Sequence, residues 1–89
     1  MRKLLPIYEQ LSRYDLDIID ITKNIKTISE QYIVRIDSED VSIVDTIREN
    51  IGTINIIDYM IHSYHKGGTI KKELWVYFEF IGDGIDGNN

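Results

Sequence analysis

The chain has 89 residues, a formal net charge of −5, 43% hydrophobic residues and no cysteine. That length is one domain with a modest core, and the missing cysteine excludes disulfide frameworks, thiolate zinc sites and thiol catalysis. A mean field of this sign repels phosphate and attracts basic surfaces, so a general affinity for nucleic acid or an anionic membrane is disfavoured.

Met1 to Tyr8 mimic a signal peptide briefly, but Pro6 cuts the apolar run, Glu9 ends it and no small-residue cleavage site follows. No apolar run approaches the ~20 residues of a membrane helix. The expectation is a cytoplasmic protein. A helix is predicted over 3–13 with Pro6 in its first turn, followed by strands near 15–23 and 30–37. Residues 15–29 are dominated by Ile, Thr, Asp, Asn and Ser, all mediocre helix formers. The alternative is one long N-terminal helix. Leu4, Ile7, Leu11, Tyr14, Ile18, Ile21, Ile25, Ile28 and Tyr32 lie at the three-four spacing of a coiled-coil seam. A small α+β unit would then follow, and a helix so much longer than the domain would force dimerisation.

A second helix is predicted over 39–51. Asp37 or Ser38 is the candidate N-cap, and Glu39 and Asp40 fall where the positive helix end favours carboxylates. Val41, Ile43, Val44, Ile47 and Ile51 have helical spacing, and Gly52 offers a left-handed stop. A hairpin follows, with a first strand near 53–64 and a turn at His65-Lys66-Gly67-Gly68. Its second strand alternates, with Ile70, Leu74, Val76, Phe78 and Phe80 on one face and Lys71, Glu73, Trp75, Tyr77 and Glu79 on the other. Residues 82–89 lack apolar mass and read as a flexible tail after a single α+β domain over 1–81.

An internal repeat ties these elements together. The segment 5–13 matches 41–49 in apolar pattern, 16–21 matches 54–59 more closely, and 30–34 loosely echoes 73–77. The predicted fold is therefore helix-strand-strand twice: a four-stranded antiparallel sheet with two helices on one face, in the α+β class.

Chemistry-bearing groups are sparse. On a strand, His62 and His65 point to opposite faces, Ser63 faces away from His62, and Asp58 lies roughly 13 Å from His62 along the chain. The segment 83–88 lacks the spacing and closing Glu of a calcium loop, and the glycines 82, 84 and 87 lack the helix that a dinucleotide loop needs, so neither site is expected. No metal or cofactor is expected, and no catalytic residue is assigned.

The informative residues are Trp75 and Tyr77, aromatic anchors on the strand face turned from the core, and two acidic groups: Asp15, Asp17 and Asp20, then Asp37, Glu39 and Asp40. Eighteen isoleucines and no alanine point to an A/T-rich genome. Together these features lead to the expectation of a small non-enzymatic protein-binding module. A phage or mobile element would use it as an anti-CRISPR-like antagonist, its acidic surface imitating nucleic acid toward a host protein with a basic groove. A homodimer, through the sheet face or the first helix, is expected. One alternative is a nucleic-acid-binding transcriptional regulator using the aromatic face and Lys66, Lys71 and Lys72 at the hairpin tip. Another is a small enzyme pairing His62 with a carboxylate.

Overall fold

A computed structural model describes residues 4–81. The tail assigned to residues 82–89 lies outside the described residues. The elements run α1 (Leu4–Ser12), β1 (Ile18–Lys23), β2 (Tyr32–Ile36), α2 (Ser42–Asn50), β3 (Ile54–Lys66) and β4 (Thr69–Phe80). The strands form one antiparallel sheet in the order β1-β2-β4-β3. This is helix-strand-strand twice, as the repeat implies, and the alternative of a continuous helix from Leu4 to Tyr32 is overturned.

Both helices pack on the same sheet face. Leu4, Ile7 and Leu11 of α1, Val44 and Ile47 of α2, and Ile51 just beyond it are buried against Val34, Ile36, Leu74, Val76 and Phe78. Each such side chain taken from water contributes roughly 1.5–3 kcal/mol. The buried helix positions repeat as i, i+3, i+7 in both halves, so Leu4, Ile7 and Leu11 correspond to Val44, Ile47 and Ile51. The two helices therefore align one turn away from the match of 5–13 with 41–49. The two-fold relation between halves also preserves sheet faces. It sets Val34 on Val76, its direct partner in the β2–β4 ladder, one residue from the match of 30–34 with 73–77.

The strand repeat has a physical cause. The β1 ladder shifts between Ile18 and Asp20, and the β3 ladder shifts between Ile56 and Asp58. Each half thus holds a β-bulge at an Ile-Ile-Asp step, with Ile19 and Ile57 as the extra residues, both 42% exposed. The bulge reverses the alternation, so Ile18 and Ile21 share the core side although three residues apart. That spacing imitates a helix and explains the false heptad seam. Beyond it, Ile25 and Ile28 are fully exposed in the 24–31 loop.

Two details of α2 differ from expectation. Asp37 and Ser38 do not cap it. The Ser38 hydroxyl accepts the Asp40 N–H (3.0 Å), and Asp40 Oδ1 accepts both the N–H (3.0 Å) and the hydroxyl (2.6 Å) of Ser42. These short polar side chains build successive turns of their own, which delays the helix to Ser42. Gly52 is not left-handed, because positive-φ glycines among the described residues are Gly67 and Gly68. Ile51 ends the helix in extended conformation (φ −118°, ψ 96°), since its side chain is buried and the chain leads into β3. Gly67 (φ 59°) and Gly68 (φ 82°) make the tight β3–β4 turn. Ile70 belongs to the core-side row but is 61% exposed, because the hairpin runs past the helices there.

Candidate partner-binding face

The face opposite the helices is built by the outward residues of all four strands. Ladder partners place Asp20 beside Arg35, Arg35 beside Trp75 and Trp75 beside Met60; the next rows pair Thr22, Ile33, Tyr77 and Asp58, and Glu73 with His62. The two bulges turn Asp20 and Asp58 onto this face.

Its centre is an ion-pair cluster. Arg35 donates to both carboxylate oxygens of Asp20, Nε at 2.8 Å and Nη2 at 2.7 Å, and Nη1 reaches Glu73 Oε1 at 3.3 Å. The same Glu73 oxygen accepts the Trp75 Nε1–H at 3.0 Å. Glu73 is 5% exposed, so it needs these partners. The Arg35 hydrogen bonds hold the Asp20 carboxyl below its ordinary value, and the Asp20 bonds raise Arg35. Hydrogen bonding to Glu73 raises the Tyr64 phenol, with desolvation and the Glu73 charge acting in the same direction.

Trp75 is clamped by these contacts. His62 stacks on its ring at 4.4 Å between centroids and 28° between planes, and the Arg35 guanidinium carbon lies 5.9 Å from the ring centre. Tyr64 continues the stack beyond His62 at 6.1 Å. The Tyr77 hydroxyl lies 3.8 Å from the Met60 sulfur. Trp75 and Tyr77 are both half-buried. They do not pack on Tyr32, which instead meets Phe78 and Phe80 on the core side.

A groove of about 310 Å³ opens beside the aromatic pair, lined by Lys23, Asn24, Ile25, Lys26, Ile33, Trp75 and Tyr77. Among the described residues, neither lysine makes an ion pair.

The acidic residues divide between two places. Asp20 lies on the open face and is neutralised by Arg35. Asp15, Asp17, Asp37, Glu39 and Asp40 lie in the loops at the end of the sheet where β1 starts and β2 stops, and all five are exposed. The Asp37 N–H donates to the Asp17 carbonyl (2.9 Å), which ties the loops together, while Asp15 turns the chain at φ 57°. Lys72 of the hairpin approaches Glu39 at 3.6 Å. The Ser42 hydroxyl and N–H hold the Asp40 carboxyl low. Asp37 is two residues, roughly 7 Å, beyond Arg35 along β2, so the acidic end and the aromatic face adjoin.

Sequence reasoning missed Arg35, Glu73, His62 and Tyr64 as members of this site. The available signal was alternation: Glu73 shares a strand face with Trp75, and Arg35 is the one charged residue inside the apolar β2 segment. Ser63 sits on the opposite strand face from His62, across from Lys72. Among the described residues, no group of three or more His, Asp or Glu side chains converges as a metal site. Comparison with family models, curated proteins and solved structures found no match to this chain.

Proposed function

We propose that this chain is a non-enzymatic protein-binding module, the kind of antagonist a phage or other mobile element directs at a host nucleic-acid-binding protein such as a CRISPR effector, in the host cytoplasm. The observation that carries the reading is Trp75: a large aromatic on the sheet face without helices, already fixed by Glu73, His62 and Arg35. A side chain ordered before docking avoids roughly 0.5–1.5 kcal/mol of ordering cost, and Trp is enriched among interface hot spots. The adjoining acids, Asp15, Asp17, Asp37, Glu39 and Asp40, supply the field that steers a basic groove onto it. The A/T-rich composition supports the mobile-element origin.

The test is retention of a host protein on the immobilised chain, followed by binding kinetics on that protein. Trp75→Ala should raise the off-rate by about 30-fold, the scale of a ~2 kcal/mol hot spot. Reversing Asp37, Glu39 and Asp40 to Lys should lower the on-rate and flatten its salt dependence. Variants that bind like wild type would remove the assigned surface.

One observation favours a second reading. Lys23 and Lys26 flank Trp75 and Tyr77 in the groove, an arrangement suited to stacking a base and meeting a phosphate. Wild-type binding to a single-stranded oligonucleotide at physiological salt, with no protein retained, would favour that regulator over the antagonist.

A further inference from the structure

We infer that the outer edge of β3 is a self-association edge: two copies pair antiparallel through residues 58–66 about a two-fold axis at His62. This goes beyond the proposed function and does not depend on it.

The sheet has two outer strands, β1 and β3. Exposed edges are usually blunted, because unpaired backbone groups template other chains. The β1 edge is blunted. It has six residues, a bulge in its first half, and the Tyr8 hydroxyl of α1 accepts the Ile21 N–H at 2.9 Å. The β3 edge is different. It has 13 residues, no proline, and exposed Ile57, Tyr59 and Met60. The Tyr59 N–H donates to the carboxylate of Asp58 at 2.8 Å, a local bond of the kind an unpaired edge amide makes.

The bulge at Ile57 ends regular pairing on one side and the Gly67-Gly68 turn ends it on the other. The uninterrupted segment is therefore 58–66, and its midpoint is His62. Besides His62 on the axis and His65, the acid and base of β3 are Asp58 and Lys66, at the two ends of that segment. They stand eight residues apart, roughly 26 Å, so they cannot meet within one copy. Antiparallel pairing about His62 brings Asp58 of each copy opposite Lys66 of the other, twice. The same register sets Met60 opposite Tyr64, a sulfur–aromatic contact. A two-fold axis perpendicular to the sheet keeps faces aligned, so eight strands run continuously with all four helices on one side.

The experiment is sedimentation of the full chain from low to high micromolar concentration. Wild type should show a concentration-dependent dimer. Asp58→Lys and Lys66→Asp alone each place like charges opposite and should weaken it by about tenfold; the double variant should restore it. The chain has no cysteine, so single cysteines locate the axis under mild oxidation. His62→Cys should form a disulfide dimer, since an axial residue faces its own copy at ~5 Å. Met60→Cys should not, being roughly 13 Å from its copy. A 10.4 kDa species at every concentration, single charge variants that associate like wild type, or cross-linking at Met60 as readily as at His62 would each overturn the inference.

Discussion

Replacing Arg35 with methionine tests whether the cluster on the open face holds the fold. Arg35 carries two charges at once: Asp20, 35% exposed, and Glu73, whose side chain is 7% exposed. Methionine keeps much of the stem's volume and removes every donor. Asp20 can then turn to water. Glu73 cannot, and retains the Trp75 N–H and the neighbouring Tyr64. Breaking a fully buried ion pair costs about 3–5 kcal/mol. Arg35 is 31% exposed, so screening reduces that to about 2–3 kcal/mol. For a domain of this size the melting temperature should fall by roughly 10–20 °C. Urea unfolding followed by tryptophan fluorescence is the assay, because Trp75 is the single tryptophan and its ring nitrogen bonds to Glu73. Adding Glu73→Gln to Arg35→Met removes the stranded charge and should recover more than half of the loss. A penalty under about 0.5 kcal/mol for Arg35→Met, the scale of an ordinary surface change, would refute the claim that Glu73 depends on it.

The Asp20 carboxyl is held low, so its folded value lies below the unfolded one, and its stabilisation is present above about pH 4 and lost as pH falls through the folded value. The stability gap between wild type and Asp20→Asn, read from melting temperature against pH, should be flat from about pH 5 to 7 and close below about pH 4; a gap that persists in acid would contradict the pairing. Gly67→Asn should be nearly neutral, while Gly68→Ala should cost about 1 kcal/mol in urea unfolding. Nothing lies within 4 Å of a Cβ at either position, so the cost is left-handed backbone strain and not a clash. Phe78→Ala, at a fully buried position between Tyr32 and Phe80, should cost about 3–5 kcal/mol; a loss below 1 kcal/mol would place it outside the core.

Element order was legible because the repeat at 16–21 and 54–59 is one local structure written twice. Ile-Ile-Asp marks a strand, a bulge and a polar outward residue in both halves. The same bulge disguised β1 as helix, since it puts Ile18 and Ile21 on one side at helical spacing. The helix alignment slipped by a turn because Ile43 and Val44 both fit an apolar pattern, and only packing shows that Val44 is the fully buried one while Ile43 is half-buried. The start of α2 was misplaced because Ser38 and Asp40 are good caps that here serve the turns before the helix. At the site, Trp75 and Tyr77 were legible from alternation alone. The cluster that fixes Trp75 was not, because Asp20, Arg35 and Glu73 come from three strands, and their meeting depends on a strand order that places β4 between β2 and β3.

That cluster also bears on why the sheet presents this face and not the other. A strand that slips by one residue exchanges its faces. For β2, such a slip would carry Arg35 under the helices and leave Val34 and Ile36 in water. Burying an unpaired guanidinium costs several kcal/mol, and each exposed aliphatic forfeits roughly 1.5–3 kcal/mol more. The bulges do the same for the outer strands, because if Ile19 or Ile57 were paired in regular alternation instead of bulged out, the aspartate of each Ile-Ile-Asp step would point at the core. Three strands therefore hold charge on a single face for reasons internal to folding. The helices are excluded from that face, and what remains there is a fixed aromatic ring with its polar edge satisfied and its flank open. The same charges that specify the fold hold Trp75 on the open face, so under the proposed partner-binding reading variants of Arg35 or Glu73 should weaken binding through the posture of Trp75 even without touching the partner.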